Sequence, residues 1–273
     1  MTESIEFSWS PQDFEDLLEA NEMDDAVQIS LKYMRDKSAR ILEAGAGTGR
    51  VVKYFHDLGY RNVHGIEINQ AAVEHINKNY PELKIIQGDI LKMPYPDDYF
   101  DVVVSYGVVE HFPKLGVVPP LRALFRVLKP RGIAIVTVPS FNHLRRLGYC
   151  IDRILEFVIP RRSNYLRKLL GKDPFPKRNS KGFLYHVHPQ FGEFFEYRLT
   201  PREFVRACRD GGFEVIASYP IAHIDGMYHL FGPRLVKFER WQFYPSLLGS
   251  FLNRVFKVVP SLHNHMHLCV LRK

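Results

Sequence analysis

Three glycines stand at every second position, Gly45, Gly47 and Gly49, in a loop that follows a short apolar run. In a strand–loop–helix unit, bare backbone and the unpaired N–H groups of a helix N-terminus let a ligand bind closely. The G-x-G-x-G spacing differs from the dinucleotide fingerprint G-x-G-x-x-G, which needs a glycine where Arg50 stands. An acid, Glu43, precedes the loop. The pattern predicts a ligand site that is not built for a pyrophosphate; the alternative is a tight turn without a ligand.

Two further carboxylates stand where the next two apolar runs end. Glu67 lies in the run NVHGIEI, and Asp89 with Ile90 follows LKIIQG. A carboxylate at Glu67 can accept hydrogen bonds from both hydroxyls of a ribose, and Asp89 can accept one from the amino group of adenine, with Ile90 against the ring. Taken singly, they are also explained as a surface acid at a strand end and a turn aspartate. Together with the glycine loop they outline an adenosine with a short group attached.

Alternating apolar and amphipathic segments must position these residues. The pattern predicts strands over 39–44, 62–68, 83–89, 100–107 and 132–139, and helices over 11–36, 49–58, 70–79 and 119–129. Further along, Thr200 and Pro201 predict the start of a helix, and strands are expected over 213–221 and 265–273. Strands that alternate with helices predict a parallel sheet, which binds ligands at the carboxyl ends of its strands.

Four segments resemble successive motifs of the class I S-adenosylmethionine-dependent methyltransferases: ILEAGAGTGR, HGIEIN, QGDILKMPYPDDYFDVVVSYGVVEHF and LFRVLKPRGIAIVTVPS. The resemblance covers residues 39–140 and resumes at 200–223 and 265–273. It implies an α/β fold with a Rossmann-like, doubly wound, seven-stranded, mostly parallel sheet in the order 3-2-1-4-5-7-6, with helical lid insertions. It implies S-adenosyl-L-methionine as the cofactor. The cofactor-binding residues that it implies are Glu43, Gly45, Ala46, Gly47, Gly49, Glu67, Ile68, Asp89, Ile90, Ser105, Tyr106 and Gly107.

A histidine after the fourth strand is the candidate catalytic residue. A sulfonium methyl group is already activated, so such an enzyme mainly aligns the acceptor, and a hydroxyl acceptor also benefits from a general base. His111, in the segment EHF, faces the transfer site in the family that this sequence resembles. It is the candidate for the base or for a substrate contact, and the alternative is a histidine that only shapes the pocket floor.

No metal site is predicted. Some relatives, including ubiquinone-pathway and small-RNA terminal O-methyltransferases, bind a divalent metal through E-x-x-E-H, but Gly107 replaces the first acid here. Histidines also alternate along two predicted strands, so that each set shares one face. We expect these residues to lie on partly exposed faces rather than to ligate a metal: His263, His265 and His267 in one set, and His186 and His188 in the other.

Composition and charge are those of a globular protein with one basic segment. Charged residues make up 25% and hydrophobic residues 46% of the 273 positions. Residues 141–181 hold eleven Lys and Arg against three acids, so this segment alone exceeds the chain's net charge of +7. The sequence shows no secretory signal and no run of 18 apolar residues, which predicts a cytoplasmic protein. Three widely spaced cysteines, Cys150, Cys208 and Cys269, predict reduced thiols without a disulfide partner.

Two insertions carry amphipathic stripes. The first has the stripe Phe141, Leu144, Leu147, Ile151, Ile154, Leu155 and Val158, with Arg145, Arg146 and Arg153 off it. The second has the stripe Leu248, Phe251, Leu252, Val255, Phe256 and Val259, flanked by Arg254 and Lys257. The apolar faces can pack on the core as a lid, leaving the arginines in water, or lie peripherally on an anionic membrane. The lid is the commoner outcome, and the two arrangements are compatible.

The resulting organisation has six parts. We expect an N-terminal helical segment (1–38), a cofactor-binding core (39–140), a basic, aromatic lid insertion (141–199), a core helix and strand (200–223), a second lid insertion (224–262) and a last core strand (263–273). The expected function is methyl transfer to a small or lipid-like acceptor, at oxygen. The alternatives are methylation of RNA at the basic lid, which no nucleic-acid-binding module supports, and a domain that binds the cofactor without turnover.

Overall fold

A central sheet with helices on both faces forms the core of the protein. The computed structural model describes residues 16, 25–112, 115–158, 177–178, 184–188, 194–240 and 242–273. The strands are β1 (Ile41–Ala44), β2 (Val63–Glu67), β3 (Lys84–Gln87), β4 (Phe100–Tyr106), β5 (Leu128–Pro139), β6 (Lys177–Arg178), β7 (Leu184–His188), β8 (Phe194–Arg198), β9 (Glu214–Ile221), β10 (Val236–Glu239), β11 (Gln242–Pro245) and β12 (Met266–Arg272). The helices are α1 (Asp25–Tyr33), α2 (Arg50–Asp57), α3 (Gln70–Asn79), α4 (Val118–Val127), α5 (His143–Val158), α6 (Pro201–Asp210), α7 (His223–Phe231) and α8 (Leu247–Phe256).

Seven of these strands form the sheet, in the order β3-β2-β1-β4-β5-β12-β9. Counted along the chain within this sheet, the order is 3-2-1-4-5-7-6, so the expected topology is confirmed. Strands β1 to β5 pair in parallel, and β12 runs antiparallel between β5 and β9. The carboxyl ends of β1, β2, β3 and β4 therefore meet at one edge, where the glycine loop and the two carboxylates were expected.

Each face of the sheet is covered by apolar helix surface. On one face, α1, α2 and α3 contribute buried side chains such as Val27, Phe55 and Ile76. On the other face, α4 and α6 contribute side chains such as Leu121 and Phe204. The inner strands β1 and β4 are buried on both faces, which explains their continuous runs of apolar residues.

Local capping explains where the helices begin. The Thr200 side chain accepts from the Glu203 backbone N–H, and the Glu203 side chain accepts from Thr200, which forms a capping box before α6. Asn69 caps α3 by accepting a hydrogen bond from the Ala72 N–H at 2.9 Å. The predicted N-cap and the first-turn Pro201 are thereby confirmed. The part of the predicted 11–36 helix that precedes residue 25 lies, apart from residue 16, outside the described residues.

The insertions add peripheral elements. Strands β6, β7 and β8 form a small antiparallel sheet, and β10 pairs with β11 as a hairpin. Helix α5 starts beside the segment that follows α8, because the His143 and Leu144 N–H groups donate to the carbonyls of Ser261 and Leu262. His186 and His188 belong to β7, and their side chains lie outside the described part of the chain.

The three cysteines are free thiols. Cys208 of α6 and Cys269 of β12 are buried and adjacent, although 61 positions separate them in the sequence. Burial, together with Cys269, raises the pKa of the Cys208 thiol well above its usual range. Among the residues described here, no helix has both the length and the apolar character that crossing a bilayer requires.

Candidate cofactor and active site

The glycine loop packs tightly against the protein itself at its first glycine. The N–H groups of Gly45 and Ala46 both donate to the carbonyl of Ile66, which ties the loop to the end of β2. Gly45 has a φ of +87°, and a Cβ there would lie 2.4 Å from Cγ2 of Val108. Glycine is required here both by the backbone conformation and by the Val108 side chain. The group closest to this backbone is therefore a side chain from the loop after β4.

Glu43, the acid before the loop, holds the start of α2. Gly49 precedes that helix with a φ of +76° and offers no side chain to cap it. The buried Glu43 carboxylate accepts a hydrogen bond from the Val52 N–H at 3.1 Å. A carboxylate at a helix N-terminus satisfies an unpaired donor and interacts favourably with the helix dipole. The role of Glu43 in cofactor binding, which the resemblance implies, stays a prediction.

Glu67 is held in place with one backbone donor on each oxygen. Oε2 accepts from the Gly47 N–H at 2.7 Å, and Oε1 accepts from the Asn69 N–H at 3.0 Å. A carboxylate has about four acceptor positions, so each oxygen can accept one more hydrogen bond. The arrangement fits a ribose diol: a buried, oriented carboxylate at the carboxyl edge with acceptor capacity on both oxygens. Ile68, also expected at the cofactor, follows directly.

Asp89 lies at the carboxyl edge of the sheet, whereas the side chain of Ile90 lies in the core. The Gly88 N–H donates to the Glu67 carbonyl at 2.8 Å, which brings this segment next to β2. Asp89 begins a short 3₁₀ turn by accepting from the Leu91 N–H at 2.8 Å. The Ile90 side chain is buried in the core. The proposed contacts of Asp89 and Ile90 with adenine stay predictions.

The end of β4 is tied to three other elements. Ser105 is buried, and its hydroxyl donates to the Ala44 carbonyl of β1 at 2.9 Å. The Tyr106 hydroxyl lies 2.5 Å from the Ser30 hydroxyl of α1. The Gly107 N–H donates to the side-chain oxygen of Thr137 in β5 at 3.1 Å. These bonds fix the edge at which Ser105, Tyr106 and Gly107 were expected to line the site, and they bring α1 to it.

Glu110 and His111 form an acid–imidazole pair just beyond β4. His111 Nε2 lies 3.8 Å from Oε1 of Glu110. Glu110 is fully buried, and its Oε2 has no hydrogen-bond partner among the described residues. Burial raises the pKa of Glu110 well above its usual range, and the negative charge of Glu196 adds to this. A buried acid with a raised pKa beside a histidine is an arrangement suited to moving a proton.

The glycine of the incomplete metal motif lies against the same acid. A Cβ at Gly107 would stand 3.5 Å from Glu110 Oε1, so an acid at this position would lie beside Glu110. Glycine therefore leaves Glu110 and His111 as a pair rather than as part of a three-ligand set. The absence of a metal at this pair stays a prediction.

A second polar cluster, missed at the level of sequence, surrounds Arg145. Arg145 was expected to point into water, and this expectation is wrong. Its Nη2 donates to His265 Nδ1 at 2.6 Å and its Nη1 to the Ser140 carbonyl at 3.0 Å. Burial lowers the pKa of Arg145 to about 10, and the charge of Arg198 adds to this. The available signal was a cation in the first turn of α5, where the helix dipole disfavours positive charge unless other groups bind it.

Asp225, His229 and His265 bring three potential metal ligands together. Their ligand atoms lie within 4.8 Å of one another. However, a guanidinium can only donate, so the 2.6 Å contact from Arg145 makes Nδ1 of His265 an acceptor. The neutral ring then carries its proton on Nε2, which faces Asp225 at 3.8 Å. A metal would need the lone pair of that nitrogen, so His265 with its proton on Nε2 does not offer this atom as a ligand, and the absence of a metal here stays a prediction.

The alternating histidines do not share a partly exposed face. His263 is buried with Nε2 2.8 Å from Oδ1 of Asn253 in α8, and His267 is buried with Nε2 2.6 Å from the Ser218 hydroxyl. His263 and His265 precede β12, so the strand alternation assumed for them does not apply. Burial lowers the pKa of both His263 and His267 to about 4.

Comparison with known proteins identifies the domain that carries this site. Residues 42–136 match the methyltransferase domain family. A probable S-adenosylmethionine-dependent methyltransferase from Mycolicibacterium smegmatis is 35% identical over 100 residues, 37% of this chain and 38% of that protein. The match, the motifs and the sheet order agree. Residues 42–136 are therefore a methyltransferase domain, similar to that of an S-adenosylmethionine-dependent methyltransferase, and S-adenosyl-L-methionine is the cofactor that this similarity implies.

Two further similarities define how far the comparison reaches. A sterol 24-C-methyltransferase from Gibberella zeae is 36% identical over 102 residues, 34% of this chain and 26% of that protein. A crystal structure of a Methanosarcina mazei S-adenosylmethionine-dependent methyltransferase has a TM-score of 0.56 at 16% identity, over 89% of this chain and 96% of that one. The structural match supports the fold. The aligned part of the chain spans only 38% of the length of the Mycolicibacterium smegmatis protein and 26% of the length of the Gibberella zeae protein.

Proposed function

We propose that this protein transfers a methyl group from S-adenosyl-L-methionine to an oxygen of a lipophilic acceptor. The observation that carries the proposal is the Glu110–His111 pair, placed after β4 at the same edge of the sheet as Glu67. A carboxylate that can bind the cofactor and a pair that can transfer a proton, both at one edge, suit the methylation of a hydroxyl.

The cofactor would be held by the residues of this edge. Glu67 would accept hydrogen bonds from the ribose hydroxyls, and Asp89 from the adenine amino group. The bound cofactor supplies a methyl group that is already activated on a sulfonium. The protein's part is then to orient the acceptor and to manage the proton that the acceptor loses.

His111 is the group able to take that proton. It is the less buried member of the pair, so an acceptor hydroxyl can reach it more easily than it can reach Glu110. The imidazolium formed in this way would lie 3.8 Å from Glu110 Oε1 and would favour the carboxylate form of Glu110. Burial has the opposite effect, because it favours the neutral form of Glu110. Only the ionised form of Glu110 stabilises the positive charge on His111.

A lipophilic acceptor is supported by two observations. One relative is named a sterol 24-C-methyltransferase, and a sterol is a lipophilic substrate. The insertions of this chain also expose apolar side chains, among them Ile154 of α5 and Phe251 of α8. The name of the relative concerns methylation at carbon, so oxygen as the methylated atom rests on the Glu110–His111 pair alone.

Following a labelled methyl group tests the proposal. Purified protein is incubated with methyl-labelled S-adenosyl-L-methionine and a cell extract, and the lipid, small polar, nucleic-acid and protein fractions are counted. We expect label in the lipid fraction, in a bond that ether cleavage releases. Label in RNA, a carbon-bound methyl group, or cofactor binding without any transferred label would each contradict the proposal in a distinct way.

A further inference from the structure

Helix α8 turns its apolar face to solvent. The exposed fraction is 93% for Leu247, 57% for Leu248, 62% for Phe251 and 48% for Val255. Val258, just beyond the helix, is 80% exposed. The spacing of these residues follows the helical period, so they form one continuous stripe, here called the α8 stripe (Leu247, Leu248, Phe251, Val255, Val258 and Val259). An apolar stripe normally faces the core, and here it faces outward.

The opposite face of α8 explains this orientation. Gly249 is buried so close to the β10 segment that a Cβ would lie 2.3 Å from the Leu235 carbonyl oxygen. Asn253 is buried and bonded to His263 at 2.8 Å. A small residue and a hydrogen-bonded amide thus occupy the inward face of the helix. Rotation of α8 would break the bond between Asn253 and His263 and leave the buried His263 without this partner. The outward direction of the α8 stripe is a consequence of this packing.

Only positive charge surrounds the α8 stripe in the sequence. Arg254 and Lys257 are exposed beside it. From Arg240 to the last residue, Lys273, the chain contains no Asp or Glu. An exposed apolar helix face with basic neighbours is the pattern that binds an anionic bilayer surface, with the apolar residues among the acyl chains and the cations at the headgroups.

A second exposed stripe lies on α5, whose first N–H groups bond to the carbonyls of residues 261 and 262, just after α8. Leu147, Ile151 and Ile154 are exposed there at helical spacing, with exposed Arg146 and Arg153. Both insertions therefore present apolar and basic side chains from elements that meet at one short segment.

We propose that the α8 stripe is a docking surface for an anionic lipid bilayer. A second copy of the chain fits the face less well, because a symmetric contact would bring two copies of Arg254 and Lys257 together. The face is also a convex helix surface, which suits a fluid bilayer. The proposal concerns where the protein binds and does not depend on methyl transfer.

Vesicle sedimentation of the full chain tests the proposal without measuring activity. We expect sedimentation with vesicles of phosphatidylcholine and phosphatidylserine, and much less with phosphatidylcholine alone. The double variant F251E/V258E should lower partitioning about tenfold or more, because two charges replace inserted apolar groups. The matched control is L58E/I216E, which adds the same two negative charges at exposed apolar residues outside the stripe, one just after α2 and one in β9.

The basic residues are tested separately. R254Q and K257Q should each lower partitioning roughly fivefold on anionic vesicles and leave weak binding to neutral vesicles unchanged. Thermal unfolding of every variant checks that it is folded, which surface substitutions allow. Wild-type protein that stays in the supernatant, or F251E/V258E that partitions like L58E/I216E, would overturn the proposal. So would a concentration-dependent dimer that F251E/V258E dissociates, since the stripe would then be covered by a second copy.

Discussion

Oε1 of the buried Glu110 lies 3.8 Å from Nε2 of His111, just after β4 at the carboxyl edge of the parallel strands. This distance is too long for a hydrogen bond between the two side chains. Oε2 of Glu110 has no hydrogen-bond partner among the described residues. A buried carboxyl oxygen without such a partner is costly, so its position beside the candidate base favours a role in proton transfer over a purely structural one.

Replacement of His111 should separate chemistry from binding. We expect H111A to lower the rate of methyl transfer about 10²- to 10⁴-fold, the usual contribution of a general base. The affinity for S-adenosylhomocysteine, measured by calorimetry, should stay within about twofold, because the proposed cofactor contacts lie elsewhere. H75A on α3 is the control. A normal transfer rate in H111A would exclude His111 from the mechanism.

Glu67 should control cofactor affinity. Glu67→Gln keeps the shape but puts an NH₂ group where one of two bonded oxygens stood, so a backbone donor or a ribose hydroxyl loses its acceptor. We expect weaker S-adenosylhomocysteine binding by about 1–3 kcal/mol in calorimetry. Glu74→Gln, at an exposed site on α3, should bind normally. Equal affinity of both variants would show that the ribose assignment is wrong.

Two glycines should respond in opposite ways to alanine. A Cβ at Gly226 in α7 would lie 1.7 Å from the His263 carbonyl oxygen, whereas a Cβ at Gly148 in α5 meets no atom within 4 Å. Gly226→Ala should lower the free energy of unfolding by about 2 kcal/mol or more, because backbone must move. Gly148→Ala should raise it by about 0.5–1 kcal/mol through helix propensity. Denaturant titration measures both values, and similar effects at the two sites would contradict this packing of α7.

Stability should fall in mild acid through the buried histidines. The pKa of His263 and of His267 is about 4 in the folded protein, below the ordinary value of 6.5. Between these values each of the two residues binds more protons in the unfolded chain than in the folded one, so their contribution to stability is greatest above pH 6.5 and falls as pH decreases toward 4. Each histidine contributes a slope of at most about 1.4 kcal/mol per pH unit.

Thermal unfolding from pH 7 to pH 5 measures this dependence. His267→Gln removes one titrating group and should give a smaller decrease in Tm than the wild-type protein shows. His56→Gln, at a partly exposed histidine on α2, should leave the decrease unchanged. The same pH dependence in wild type and His267→Gln would mean that His267 is accessible and titrates normally.

The core of the fold was predictable from the sequence because it depends on local patterns. Apolar or alternating runs of six to nine residues between turn signals located all seven core strands to within a few residues, and Thr200–Pro201 located the start of α6. The edge at which Glu67 and Asp89 meet followed from the parallel topology alone, since parallel strands end at one edge.

Side-chain direction in the insertions depended on the tertiary structure. An amphipathic stripe does not state which face turns inward, and the α8 stripe points outward because Gly249 and Asn253 fill the inner face. Arg145 is a surface residue by type, yet three acceptors far apart in the sequence or across a loop enclose it. Sequence alone therefore determined the sheet, its carboxyl edge and the candidate residues along that edge. Only the tertiary structure decided how Glu110 is buried, where Arg145 lies and which face of α8 meets solvent, because each depends on contacts between segments that local patterns do not encode.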